Sequence, residues 1–442
     1  MSKTVSIIGG GLAGISAAVF LHNKGFDVTL YESTTKLGGR TFSFRDEEVG
    51  ENLDNGQHIF AGWYKNTFEL LDIIGKKPKL HFHNALEVYF KDTDGTDFHF
   101  KASGDNTLVA AAKGFINYSP LTFKDKLKLL ALRELVEIDI RERLLKGKTL
   151  DWLLAYMKQN CKLMKYFWEP FVFAVFNTSP KYVDAEIFYN VLEKAFQDVT
   201  TFSLIIPGEP LGDIFIEPFM EYAKNRIQVK TQTKVSKLEI EKNRIKSAVT
   251  EHGEIIKSDF YISAVPFYNH KALFKNDDFE KYFGFKELKS VSIISLYLFP
   301  DTDLSYMKDK YYYGMVGLID KCSHWVFFKE KYLCIVVSAP EYTIPDFEKY
   351  DKNEFINLLI SEVKSVFEEL KNTEFIKVKY LREKKATFLP EINSTEYRPD
   401  CETKIENYFL AGDWTNTGLP SVIEGAVTAG KTCSKVIERG FL

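Results

Sequence analysis

Cysteine is scarce in this chain, and what there is shows no arrangement that holds a metal or builds a covalent framework. The five cysteines among 442 residues stand at positions 161, 322, 334, 401 and 433. They form no C-x-x-C pair and no metal-ligand spacing, so free thiols in a reducing compartment are expected. Charge of one sign is missing as well. The 58 Lys and Arg against 61 Asp and Glu leave a net −3, which argues against nucleic acid or an acidic polymer as a partner. No stretch reaches the roughly eighteen uninterrupted apolar residues of a membrane-spanning helix. No charged-then-apolar leader precedes the first strand, so a cytoplasmic location is expected. Repeats and low-complexity segments are absent. What remains is a large soluble enzyme, long enough for two domains with substantial cores.

What is present begins at the N-terminus. Thr4-Val5-Ser6-Ile7-Ile8 runs into Gly9-Gly10-Gly11-Leu12-Ala13-Gly14 and then into an amphipathic helix. A β-branched run, glycines at Gly9, Gly11 and Gly14, and a helix read as the opening of a dinucleotide-binding fold. Gly9 permits the tight turn, Gly11 lets the backbone approach a pyrophosphate, and Gly14 lets the helix pack closely on the strand. Leu12 and Ala13 open that helix, whose N–H groups and dipole favour phosphate. A second strand, Phe26 to Tyr31, ends in Glu32, placed to accept hydrogen bonds from a ribose diol.

Two further motifs separate flavin from nicotinamide. Leu37-Gly38-Gly39-Arg40 sets flexible residues and a cation just past the second strand. Gly39 lets the backbone pass near a cofactor, and Arg40 either stays near a diphosphate or is a solvent-exposed arginine after a turn. Near the C-terminus, Tyr408-Phe409-Leu410-Ala411-Gly412-Asp413 is an apolar run stopping at Gly412-Asp413, where a carboxylate can hold a ribityl hydroxyl. Pro420 to Val427 then opens a helix, with Ile423 in its first turn, whose N-terminus can face the electron-rich edge of a flavin.

These paired motifs resemble the flavin amine oxidase and phytoene desaturase superfamily. Internal stretches resemble its squalene-associated branch, the hydroxysqualene dehydroxylases: Leu53-Asp54-Asn55-Gly56-Gln57-His58, Phe176-Asn177-Thr178-Ser179-Pro180, Ile206-Pro207 with Pro210 to Asp213, Glu383-Lys384-Lys385-Ala386-Thr387, and Gly412-Asp413-Trp414 with Gly418-Leu419-Pro420. Lys385 stands where the branch has arginine, and Gly212 where it has serine. The resemblance implies an α/β fold, with a doubly wound, Rossmann-like FAD-binding domain interrupted by an α+β substrate domain. It also implies that Gly56, Gln57 and His58 lie along the flavin ring and that the backbone at Val235 meets the adenine.

The pattern along the chain agrees with two interruptions. Residues 1–78, 215–269 and 388–442 read as cofactor domain, and 79–214 and 270–387 as substrate domain. Helices are expected from Trp63 to Ile74, Phe123 to Leu145, Leu150 to Met157, Phe215 to Asn225 and Glu354 to Leu370. Short strands are expected around residues 81, 86–90 and 97–100, and a mostly antiparallel sheet from Val291 to Phe299, Trp325 to Phe328 and Tyr332 to Val337.

Three features bear on chemistry. His58 either protonates a leaving hydroxyl, since imidazole titrates near neutrality, or simply packs beside the ring with a carbonyl partner; the second is preferred. Arg382 to Lys385 include a candidate cation near flavin N5, taken as Lys384, or else are a charged strand end. Met164 to Phe176 crowd aromatic residues into one window, which is either ordinary core or the wall of a tunnel for a long-chain isoprenoid. The expectation carried forward is an FAD-dependent oxidoreductase that reductively dehydroxylates hydroxysqualene to squalene, with His58, Gln57 and Lys384 as candidate catalytic residues. No second dinucleotide motif is present, so a separate electron donor is implied. The cap edge is a candidate for peripheral membrane contact. The rivals are an oxidative carotenoid-type desaturase or amine oxidase and, in a different class, a flavin-free prenyl-binding escort.

Overall fold

Short strands of branched, apolar residues build the central sheet, and all of them run parallel. In the computed structural model, which describes residues 2–75, 80–82, 85–104, 106–130, 144–198, 200–284, 286–312 and 314–440, their spatial order is Gln228–Lys230, Asp27–Tyr31, Thr4–Ile8, Phe260–Ser263 and Tyr408–Leu410. Parallel neighbours need crossovers that cover the sheet, so the inner strands Thr4–Ile8 and Phe260–Ser263 are buried on both faces, while the edge strand Gln228–Lys230 is not. In the first strand only Thr4 escapes full burial.

The helix Leu12–His22 is buried at every position from Leu12 to Leu21, because it lies between this sheet and the last helix, Ile423–Arg439. Small residues make that crossing. A Cβ on Gly430 would fall 2.3 Å from the Ala13 carbonyl oxygen, and Ser16 Oγ donates to the Val427 carbonyl at 2.8 Å. The last helix also caps a neighbour. Glu424 accepts from the Thr67 amide at 2.9 Å and the Asn66 amide at 3.0 Å, satisfying free N–H groups in the first turn of Lys65–Ile73.

The second large sheet has seven strands in the order Phe375–Phe388, Ser290–Pro300, Leu333–Ser338, Trp325–Phe328, Met315–Leu318, Ala85–Lys91 and Asp97–Ser103. Neighbours are antiparallel except where Met315–Leu318 meets Ala85–Lys91 in parallel, with Val316 opposite Tyr89. Strands from residues 85–103 and 290–388 thus share one sheet. The helix Lys352–Val366 begins in a capping box between Asp351 and Glu354 and packs Phe355, Leu359 and Val363 against this sheet. Extended Phe367 ends it short of the expected Leu370, and a 3₁₀ turn follows over Glu368–Leu370.

Other expected helices are present with shifted ends: Lys65–Ile73, Leu150–Tyr156, and Glu217–Ala223 preceded by a π turn over Gly212–Ile216. Of the helix expected over Phe123 to Leu145, Phe123–Leu130 is helical, and residues 131–143 lie outside the described residues. The aromatic window is a π turn, Met164–Trp168, continuing into the helix Glu169–Phe176, which stops at Asn177 in the left-handed region. No helix among the described residues is long and apolar enough to cross a membrane.

Candidate functional site

The glycine turn is held by contacts that leave no room for side chains behind it. Gly9 has φ +112°, and a Cβ there would sit 2.8 Å from the Ala264 carbonyl oxygen. A Cβ on Gly14 would sit 2.0 Å from the Gly9 carbonyl oxygen. Gly14 therefore sets the distance between helix and turn, and it does not line the cavity described below. Gly11 differs: nothing lies within 4 Å of a Cβ built on it, so its backbone borders open space. Glu32 points back at the turn, accepting from the Gly10 amide at 2.8 Å and from the Thr34 amide at 2.8 Å. The Leu37-to-Arg40 turn lies directly against it, with Gly38 N–H donating to the Gly10 carbonyl at 2.9 Å.

Two arginines organise the other end of the cofactor segment. Arg40 donates to Asp413 Oδ1 at 2.5 Å and to the Ala386 carbonyl at 2.7 Å. It is therefore not a solvent-exposed arginine after a turn. Burial works against both charges, yet Arg40 holds the Asp413 carboxyl below its ordinary range, and Asp413 raises Arg40 above its own. Ser421 Oγ bonds the second Asp413 oxygen. Arg398, which the sequence reading missed, is 3 % exposed. It donates to the carbonyls of Leu419 at 2.7 Å and Asp413 at 3.0 Å, to that of Thr415, and to Thr417 Oγ1 at 2.9 Å. Burial lowers it to about 10. One guanidinium thus gathers the turn carrying Gly412 and Asp413.

A single cavity of about 1710 Å³ connects these groups to the aromatic window. At one end it is lined by Gly9, Gly11, Leu12, Ala13, Glu32, Gly39, Arg40, Val235, Gly412, Asp413 and Ile423; at the other by Phe90, Phe100, Phe115, Phe167, Phe171, Phe196, Phe202, Trp325 and Phe327. Gly56, Gln57 and His58 line its wall, together with Tyr268, Asn177, Glu383 and Thr387. The aromatic window is thus core on one side, with Trp168 and Phe176 buried, and cavity wall on the other.

The structure separates the three candidate catalytic residues. Gln57 lines the cavity close to Tyr297, whose hydroxyl donates to the Asp54 carbonyl at 2.7 Å. His58 lines it too, but burial, with Arg40 nearby, pushes its imidazole down to about 4, so it is neutral at pH 7 and carries no extra proton to donate. Lys384 does not reach the cavity: its side chain is exposed. The strand Phe375–Phe388 slips register between Glu383, paired with Ile293, and Thr387, paired with Val291. That bulge turns Lys384 outward, while Lys385 lies over the Tyr268 ring with its Nζ 3.9 Å from the centroid.

The lining fits FAD. The open backbone at Gly11 leaves room for a pyrophosphate at the start of a helix, Glu32 lies where a ribose would pass, and the half-buried Arg40, paired with buried Asp413, flanks the far end. No group of three or more metal-ligand side chains occurs among the described residues.

Comparison with known proteins agrees. The family model for flavin containing amine oxidoreductases matches residues 12–437. Hydroxysqualene dehydroxylase of Zymomonas mobilis is 25% identical over 438 residues, spanning 97% of both chains. Zeta-carotene desaturase of Arabidopsis thaliana is also 25% identical, across 98% of this chain and 85% of that one. Among solved structures, an oxidoreductase from Methanosarcina mazei superposes with a TM-score of 0.74 at 18% identity, covering 98% of this chain and all of that one. Cyclohexylamine oxidase from Brevibacterium oxydans superposes with a TM-score of 0.71 at 14% identity, covering 100% of each chain.

Proposed function

The chain belongs to the flavin containing amine oxidoreductase family and is an FAD-dependent oxidoreductase; within that family we propose that it reductively removes the hydroxyl group of hydroxysqualene to give squalene. The observation that carries this reading is the cavity. Its volume exceeds the roughly 300–1,000 Å³ of a site for one drug-sized ligand, and beyond the FAD-lined end its walls are largely aliphatic and aromatic. That shape suits a second, long hydrocarbon lying against the cofactor. The full-length similarity to hydroxysqualene dehydroxylase supports the same substrate.

Bound FAD supplies two-electron chemistry at this junction. The chain's own residues supply the surroundings. The apolar chamber excludes water that would otherwise recapture an allylic cation. His58, neutral, is a positioning group. Tyr268, whose hydroxyl is protonated at neutral pH and is pushed further up by burial, lines the same stretch and is assigned proton delivery to the leaving hydroxyl.

The substrate class implies supply from a bilayer. Val109, Ile116, Phe123 and Leu127 are exposed apolar residues on Thr107–Asn117 and Phe123–Leu130, and Val109 also lines the cavity. Lys113, Lys124, Lys126 and Lys128 stand among them, a composition suited to anionic lipid headgroups. The electron donor is a separate protein or a diffusible reductant.

The test is anaerobic. The flavin is reduced chemically and hydroxysqualene added; reoxidation with squalene formed in equal amount is expected, and flavin that stays reduced refutes the proposal. Oxidative desaturation is the second reading, supported by the equal identity to zeta-carotene desaturase, and polyenes added to the oxidised protein test it.

A further inference from the structure

The five cysteines look unrelated by spacing, yet two of them meet. Cys401 Sγ and Cys433 Sγ lie 2.9 Å apart. Unbonded carbon atoms pack at about 3.5–4.0 Å, and sulfur is larger than carbon, so this separation is well inside ordinary contact. The two residues are also fastened to the same strand end. The Cys401 carbonyl accepts from the Leu410 amide at 2.9 Å, and the Cys433 thiol donates to the Leu410 carbonyl at 3.2 Å. Leu410 ends the last strand of the central sheet, three residues before Asp413.

We propose that Cys401 and Cys433 form a peroxide-reactive dithiol that closes to an intramolecular disulfide. Access divides the roles. Cys401 is partly exposed and Cys433 is fully buried on the last helix, where burial and the neighbouring thiol hold it well above its usual range. Cys401 is therefore the attacking group, since the thiolate is the nucleophile and access governs its reaction.

The Cys401 thiolate attacks one oxygen of hydrogen peroxide. An S–O bond forms, the O–O bond breaks, and hydroxide leaves and takes up a proton to become water. The product is a sulfenic acid on Cys401. Cys433 sulfur then attacks Cys401 sulfur. The S–S bond forms, the S–O bond breaks, and the departing hydroxyl leaves as water with the Cys433 proton. Two thiols lose two electrons, and one peroxide becomes two waters.

The bond would tie the segment before the Gly412-Asp413 turn to the helix that opens at Ile423 beside the cavity. Among the described residues, Cys161, Cys322 and Cys334 form no such pair, and they serve as internal controls.

The experiment uses the full-length FAD-bound protein, fully reduced and then freed of reductant. It is treated with a small excess of hydrogen peroxide, blocked with iodoacetamide in denaturant so that buried thiols also react, and mapped by mass spectrometry without reduction. A peptide pair linked through Cys401 and Cys433 is expected, with two fewer titratable thiols, a whole-protein mass lower by two hydrogens, and alkylated Cys161, Cys322 and Cys334. In Cys433→Ala the linked pair should vanish, and dimedone should trap a sulfenic acid on Cys401. Wild-type protein in which Cys401 is trapped by dimedone, or oxidised further, with no linked pair would overturn the proposal. A linked pair using any other cysteine would overturn it equally.

Discussion

Replacing His324 with asparagine should flatten the dependence of stability on pH. His324 is 5 % exposed. Its Nδ1 accepts from the Ser338 amide at 3.0 Å, and its ring stacks on Phe173 with centroids 4.3 Å apart. Burial pushes it down from 6.5 to about 3. The unfolded chain therefore binds a proton that the native fold refuses. For this histidine the stabilisation is complete above 6.5 and is lost as pH falls from there toward 3. At about pH 5 the loss spans roughly 1.5 pH units at about 1.36 kcal/mol each, or about 2 kcal/mol. Asparagine keeps an acceptor for the Ser338 amide and does not titrate. His58 and His270, which burial also depresses, remain in both proteins and cancel from the comparison. Denaturant unfolding of wild type and His324→Asn, measured at about pH 8 and about pH 5, should give a pH-dependent loss smaller by about 2 kcal/mol in the variant. Parallel curves would refute the claim that this imidazole is held neutral.

Gly11→Leu should fold and lose FAD: the residue has φ −75° and open space where a Cβ would go, so near-wild-type circular dichroism with a colourless protein is expected. Gly14→Ala should instead cost stability, because its Cβ meets the Gly9 carbonyl; a lowered melting temperature checks it. Arg398→Met leaves several buried carbonyls without a donor, and a loss of about 1–3 kcal/mol for each stranded acceptor, read by denaturant unfolding, should accompany weakened flavin retention. Lys384→Ala should change turnover at pH 7 by no more than about twofold, the scale of an indifferent surface substitution, whereas Tyr268→Phe should lower kcat far more than that while FAD stays bound.

Local features carried their meaning in the sequence. Gly9, Gly11, Gly14 and Glu32 belong to one short unit in which spacing alone dictates geometry, and Gly412-Asp413 announces itself by a run of apolar residues ending in a carboxylate. The features that escaped depend on chain segments meeting. Arg398 caps the short helical turn Ser394–Tyr397 and belongs to no motif, and its role exists only because the turn from Asp413 to Leu419 folds over it. The approach of Cys401 to Cys433 follows from the last helix lying against the last strand, which no spacing rule reports. Lys384 was misplaced because the charged run from Arg382 to Lys385 gives no sign of which side chain a bulge turns outward. The sheet shared by Ala85–Lys91 and Met315–Leu318 joins residues whose separation gives no local signal.

The order of strands in the central sheet governs when this protein can begin to exist during its synthesis. The strand Thr4–Ile8 is made long before its partner Phe260–Ser263, and that strand long before the outermost one, Tyr408–Leu410. Leu12–His22 is buried by a helix that ends at Arg439. An apolar helix made at the start must therefore wait, unsheltered, for its cover to be translated. Non-local closure of this kind folds slowly and exposes sticky surface meanwhile. Loss of the last helix should therefore leave the nascent chain for chaperones or proteases rather than trim an otherwise working enzyme.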